Sequence, residues 1–192
     1  MNGGKVRTIG KYGEVRIIGG AWRSRRIRFP ARPGLRPTPD RVRETLFNWL
    51  GQDLTGKDCL DLYAGSGALG FEAASRGARR VVMVERDAAA WQALQANCEA
   101  LAAAAVEVMR ADALEFLRTH RDQYHVVFLD PPFAEDHWPQ LLALLPEHLA
   151  PGGMVYCERA QALSALSGWE AVKSGRAGQV SYQLLRRVEH EQ

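Results

Sequence analysis

The chain has 192 residues, 46% hydrophobic and 24% charged, enough for one core of ordinary domain size without a metal or disulfide to support it. No apolar run approaches the roughly 20 residues of a membrane helix, and the opening MNGGKVRTIGKYGEVR lacks the apolar segment and cleavage site of a secretory signal, so a cytoplasmic protein is expected. The net charge of +3 conceals an asymmetry: residues 1–43 carry twelve Lys and Arg against Glu14 and Asp40, a net of +10, leaving −7 on the rest. A cationic arm on an acidic body points to a polyanionic partner, and 21 of the 25 cations are Arg, the forked donor suited to phosphate.

Residues 1–14, with four glycines and little apolar content, read as a flexible tail. Residues 15–51 form the arm: short strands at Val15 to Ile18 and Arg26 to Phe29 make a basic hairpin whose connection contains Trp22. Arg23, Arg25, Arg26 and Arg28 around one exposed indole suit a surface that tracks a backbone and stacks a base. The alternative is a packing flap with Trp22 in a core. After the extended GLRPTPD comes a helix from about Pro39, with Thr38 as its N-cap and Val42, Leu46, Trp49 and Leu50 as a docking stripe; Gly51 ends it.

From residue 52 to 192, short apolar strands alternate with helices, the pattern of an α/β domain with a mostly parallel sheet covered on both faces. The expected strands are Asp58 to Tyr63, Arg80 to Glu85, Val106 to Arg110, His125 to Asp130 and Met154 to Glu158. Helices are expected near Ala68 to Arg76, Ala88 to Ala103, Ala113 to Arg121 and Trp138 to Leu149, with Gly77 closing the first. The tail from Gly168 supplies two more strands, seven in all, the last antiparallel. Cys59, Cys98 and Cys157 are widely spaced and read as buried thiols. The five histidines show no ligand spacing, so no metal is expected.

DLYAGSGALG, Asp61 to Gly70, is a strand end, a glycine loop and a helix start, where Gly65 and Gly67 allow a close backbone approach. Gly65, Gly67 and Gly70 also match G-x-G-x-x-G, which brings in a nicotinamide dinucleotide. Asp61, four residues before Gly65, separates the two readings: a carboxylate there meets the ammonium of an amino acid and repels a pyrophosphate. Glu85, ending the next strand, suits ribose hydroxyls of either cofactor. Asp112 can accept from an adenine amino group, with the Ala113 amide beside it, and can equally cap the helix that follows.

Asp130-Pro131-Pro132-Phe133 ends the fourth strand at the same sheet edge, where ligands of open parallel sheets bind. Two prolines remove two N–H donors, leaving carbonyls and one carboxylate as a pocket of acceptors that wants an NH2 group. Phe133 offers a flat face to a planar base. A bare turn is the other reading of these four residues.

Together these blocks resemble the S-adenosylmethionine-dependent amino-methyltransferases. RIIGGAWRSRRIRFP, GLRPTPDRVRETLFNWL, DLYAGSGALGFEAASRGA, ERD and LDPPF resemble, more narrowly, the bacterial family that methylates guanine N2 in 16S ribosomal RNA. The likeness runs from about Val15 through nearly the whole chain, departing at Tyr63, where Phe is expected, and Pro39, where Thr is expected. It implies a Rossmann-like class I methyltransferase sheet. It implies S-adenosylmethionine held by Asp61, Ala64, Gly65, Ser66, Gly67, Glu85, Arg86, Asp112 and Ala113, and catalysis at Asp130, Pro131, Pro132 and Phe133. Trp22, Arg23, Arg25, Arg26, Arg28, Arg36 and Arg41 would then face 16S rRNA within a small-subunit particle, the enzyme acting as a monomer. A DNA adenine N6-methyltransferase, a nicotinamide oxidoreductase and a non-catalytic RNA-binding module are the alternatives.

Overall fold

A computed structural model describes residues 7–9, 11–131, 137–162 and 167–188. The arm is a three-stranded antiparallel sheet of β1 (Arg7–Ile9), β2 (Tyr12–Arg16) and β3 (Arg26–Pro30), in that order. Residues 7–9 and 12–14, expected in a flexible tail, are therefore strands. Gly13 shows why the second of these is specified: a Cβ there would lie 2.4 Å from the Phe29 ring, so its absence lets Phe29 close over the strand. Trp22, expected to be exposed, is half-buried against the core, and its backbone N–H donates to Ser75 Oγ at 2.9 Å.

Helix α1 (Asp40–Trp49) follows. Its cap position is Pro39 and no side chain caps it, because the Thr38 hydroxyl is engaged elsewhere. The docking stripe differs too. Val42, Leu46 and Phe47 are buried, Trp49 and Leu50 only half-buried, and Arg43 lies fully within the protein at 0% exposure. Its guanidinium is matched by acceptors: Glu72 Oε2 at 3.1 Å, Asp40 Oδ1 at 2.6 Å, and the carbonyls of Thr38 and Arg16 at 3.1 and 2.9 Å. Glu72 also accepts from the Ile18 and Gly19 amides and from Arg76. A buried charge persists only when paired and hydrogen-bonded in this way, and this hub fixes the arm to the body.

The body alternates β4 (Asp58–Asp61), α2 (Ala68–Ser75), β5 (Arg80–Val84), α3 (Ala88–Leu101), β6 (Val106–Met109), α4 (Ala113–Thr119), β7 (Tyr124–Leu129), α5 (Trp138–Leu144), β8 (Leu149–Arg159), β9 (Trp169–Ala177) and β10 (Val180–Arg187). Its seven-stranded sheet runs β6-β5-β4-β7-β8-β10-β9, parallel through β8, with β10 antiparallel to both neighbours. This is the Rossmann-like methyltransferase sheet expected from the sequence. The helix expected from Trp138 to Leu149 instead gives way to a 3₁₀ turn at Leu145–His148, where Pro146 has no N–H to continue the helical ladder.

The sheet has a core on each face. One joins Phe47, Phe71, Met83, Leu94, Phe128 and Tyr156 beneath α1, α2, α3 and the arm; the other joins Leu60, Val82, Phe116, Leu129 and Leu141 beneath α4 and α5. Cys59 and Cys157 are buried and Cys98 half-buried, all free thiols. No helix among the described residues is long and apolar enough to cross a membrane.

Candidate functional site

Parallel strands alternate their side chains between faces, so strand register decides which side chains gather at the carboxyl edge. Asp61 pairs with Met83 of β5 and Phe128 of β7, and Phe128 pairs with Tyr156 of β8. One repeat further on, Glu85, Asp130 and Glu158 emerge on the same face. Four neighbouring strands thus each deliver one carboxyl group to one edge, in the order Glu85, Asp61, Asp130, Glu158.

Asp61 is 3% exposed and its Oδ2 accepts from the Gly70 amide at 3.1 Å, which ties the strand to the first turn of α2. Burial pushes its carboxyl up to about 7 and the Glu85 charge adds to this, against the pull of the Gly70 and Tyr63 amides. Gly65 (φ +51°) and Gly67 (φ +78°) hold left-handed backbone, and a Cβ on Gly67 would lie 2.6 Å from Leu94. Ser66 Oγ accepts from Ala68 N at 3.3 Å, and Ala64 packs in the core. The Ala68 and Gly70 amides at the start of α2 are therefore already taken, by a hydroxyl and a carboxylate. That arrangement suits the cationic end of an amino acid and not a pyrophosphate, which needs free N–H donors there.

Glu85 is half-buried. Its Oε2 accepts from Gly65 N at 2.9 Å and its Oε1 from Asp87 N at 2.7 Å, so it joins the glycine loop to the turn before α3 while each oxygen keeps a lone pair for a ligand hydroxyl. Arg86 beside it is exposed. Asp112 caps α4 through Oδ1 alone, at 2.9 and 3.2 Å to the Leu114 and Glu115 amides, which leaves Oδ2 open to a donor. Ala113, behind it, is buried. These residues fit a ligand carrying an ammonium, a ribose and an adenine amino group.

Asp130 stands half-buried at the end of β7 with Pro131 buried behind it; Pro132 and Phe133 lie outside the described residues. Desolvation first, then the Glu158 charge and then Asp61, hold the Asp130 carboxyl well above the usual carboxylate range. Glu158, which in the sequence only ended a strand and had no role, is 7% exposed and accepts the hydroxyls of Thr38 at 2.7 Å and Tyr156 at 2.9 Å. The signal that could have found it is the one that found Glu85: an acid closing an apolar strand at the carboxyl edge.

Residues 32–38 run across this edge as a strap. Arg32 pairs with Asp87 at 2.5 Å, Leu35 lies 3.0 Å from where a Gly65 Cβ would stand, and Thr38 reaches Glu158. Below the strap, Asn97 of α3 clamps β3, accepting from Arg28 N at 3.0 Å and donating to Arg28 O at 2.8 Å. The arginines of the arm fall into two groups. Arg25 is tied to the Ala100 carbonyl and Arg28 to Glu14, whereas Arg23, Arg26, Arg36 and Arg41 are exposed with no partner among the described residues. Among those residues no cluster of His, Cys, Asp and Glu could hold a metal ion.

Residues 15–186 match the family model Cons_hypoth95, described as Conserved hypothetical protein 95. Ribosomal RNA small subunit methyltransferase D of Escherichia coli is 41% identical over 181 residues, 91% of each chain. Its namesake from Haemophilus influenzae is 42% identical over 188 residues, 94% of this chain and 97% of the relative. The solved structure of the Escherichia coli yhhF protein superposes with a TM-score of 0.81 at 41% identity, covering 91% of this chain and 98% of its own.

Proposed function

This chain belongs to the Cons_hypoth95 family together with ribosomal RNA small subunit methyltransferase D, and we propose that it moves a methyl group from S-adenosylmethionine to the exocyclic N2 of a guanine in 16S rRNA. Its relatives at 41% and 42% identity are ribosomal RNA methyltransferases, and methyl transfer to ribosomal RNA follows from that kinship. The choice of an exocyclic amino group is carried by one observation: Asp130, followed by Pro131, presents an acceptor at the carboxyl edge beside Asp61 and the glycine loop. An acceptor pocket favours an amino group, and it disfavours a ring nitrogen or a carbonyl that offers no hydrogen.

When bound, S-adenosylmethionine supplies an electrophilic methyl group on a cationic sulfur. Asp61 and the Gly65–Gly67 turn would hold its amino-acid end, Glu85 its ribose and Asp112 with Ala113 its adenine. The guanine amino lone pair is delocalised into the ring, so it must be localised and aimed. Asp130 and the Pro131 carbonyl, accepting both N–H groups, do this. Displacement then needs mainly positioning, and the Asp130 carboxylate is placed to take the proton left on nitrogen. The base must leave its stack to reach the crevice, which fits an unpaired target.

Arg23, Arg26, Arg36 and Arg41, which have no partner among the described residues, supply cations for the flanking phosphates, with Trp22, Arg25 and Arg28 beside them. We assign the enzyme to the cytoplasm, as a monomer working on RNA within a small-subunit particle. The test is methyl transfer from labelled S-adenosylmethionine to DNA, to free 16S rRNA and to small subunits, followed by digestion to nucleosides. N2-methylguanosine from an RNA arm is the expected product. Label in N6-methyladenine from the DNA arm would overturn the reading.

A further inference from the structure

Among the described residues, Glu158 is the one of the four carboxylates at this edge that the proposed reaction leaves without a role. It sits on β8, next to β7, and the pairing of Leu129 with Cys157 sets Asp130 and Glu158 side by side one residue further along, on one face. It is almost wholly buried, and its Oε1 is fixed by two hydroxyl donors that come from different places, Tyr156 on its own strand and Thr38 at the end of the strap. A buried acid held for packing alone would be expected to face a cation. Among the described residues, the charges that bear on Asp130 are instead Glu158 from β8 and Asp61 from β4, both of its own sign.

We propose that Glu158 is a positioning residue for methyl transfer: pinned by the Thr38 and Tyr156 hydroxyls, its carboxylate stands beside Asp130 and makes that neighbour the acceptor of the proton shed by the target nitrogen. The inference rests on the acceptor-pocket reading of Asp130. In the step itself the nitrogen–carbon bond forms as the carbon–sulfur bond breaks, with the pair of the broken bond left on sulfur. The surplus proton on nitrogen then moves to the Asp130 carboxylate. Both hydroxyls donate to Glu158 and so favour its charged form, offsetting part of the upward push of burial. Burial still leaves Glu158 raised, but its two donors pull it down while Asp130 is held well above its ordinary range, so of the two the shed proton goes to Asp130. An Asp130 without that neighbour would be a weaker base.

The test is a carbon-13 titration of the aspartate carboxyls in ligand-free wild-type and Glu158→Gln protein, read beside single-turnover rates. Glu158→Gln should lower the Asp130 midpoint by about one pH unit or more, the scale of a close like charge. The acidic limb of the rate profile should move with it and the plateau fall about tenfold, with S-adenosylmethionine affinity unchanged. Thr38→Val covers the case in which the Glu158→Gln variant does not fold. By raising the proton affinity of Glu158 it should move the Asp130 midpoint in the same direction by less. An Asp130 midpoint unmoved in the folded variants overturns the inference. Asp130→Ala at the wild-type rate defeats the underlying reading instead, so the two failures are told apart.

Discussion

The Thr38 hydroxyl donates to Glu158 Oε1 across 2.7 Å and so joins two residues 120 apart in the chain. From behind, Arg43 Nε donates to the Thr38 carbonyl at 3.1 Å, and the same guanidinium reaches Glu72. Glu72 in turn holds the Ile18 and Gly19 amides of the arm. The arm and the carboxyl edge of the sheet are thus connected through one buried ion pair.

Removing one partner of that pair should be costly. Arg43→Met fills much of the volume but leaves Glu72 with Arg76 as its remaining cation, and should destabilise the fold by about 3–5 kcal/mol. Denaturant unfolding measures the loss. A change below about 1 kcal/mol would mean that the hub contributes orientation and little stability.

Asp61 gives the enzyme a pH dependence whose sign is fixed by its direction of shift. A carboxyl raised to about 7 binds its proton more tightly folded than unfolded. The stability it contributes is present below its ordinary value and is lost as pH rises through about 7. Ligand-free protein should therefore soften as pH rises through that range. S-adenosylmethionine, whose ammonium favours the ionised form, should bind more tightly from about pH 5.5 to 7.5 and release a proton on binding. Calorimetry in buffers of different ionisation enthalpy counts that proton. Asp61→Asn should bind more weakly with a flat profile, and a flat profile in the wild type would remove Asp61 from the cofactor site.

What the sequence made legible was what adjacent residues decide. Gly65 and Gly67 announce a tight turn, and Asp130-Pro131 the end of a strand, because backbone freedom and missing N–H groups act within a few residues. Arg43 was not legible. In Asp40-Arg41-Val42-Arg43-Glu44 it looks like one more solvated charge, and its burial depends on acceptors brought from outside that stretch, Glu72 29 residues on and the Arg16 carbonyl, as well as on Asp40. Thr38 read as a helix cap because the sequence places it one residue before the helical stretch; its true partner arrives with β8. Trp22 misled in the same way, its indole counted among arginines when the contacts of Ala21 and Trp22 with Ser75 of α2 set it against the core.

The division among the arm's arginines predicts unequal effects. Arg23, Arg26, Arg36 and Arg41 have no partner among the described residues, and replacing all four with Ala should weaken RNA binding and reduce its salt slope by about one unit for each lost phosphate contact. Arg25→Ala, which breaks a 2.6 Å contact to the Ala100 carbonyl, should change the slope less. Filter binding across salt concentrations distinguishes them. Equal slopes for the fourfold variant and the wild type would place the RNA on another face.

Asp130 decides the mechanism. If its carboxylate localises the target lone pair and takes the proton, Asp130→Ala should bind S-adenosylmethionine nearly normally yet lose about a hundredfold or more in single-turnover rate. Asp130→Asn should fall between the two, since an amide oxygen still accepts one hydrogen bond but takes no proton. Stability gives the independent reading. Because desolvation and the Glu158 charge raise the Asp130 carboxyl, its ionised form is a liability to the fold at neutral pH, and ligand-free Asp130→Ala should be at least as stable there as the wild type. A residue that merely closed the turn before Pro131 would show the reverse: a lowered melting temperature with turnover per folded molecule intact. Melts and rates taken on the same preparation separate these outcomes, and full turnover in Asp130→Ala would move the search for the proton acceptor to another group at the edge.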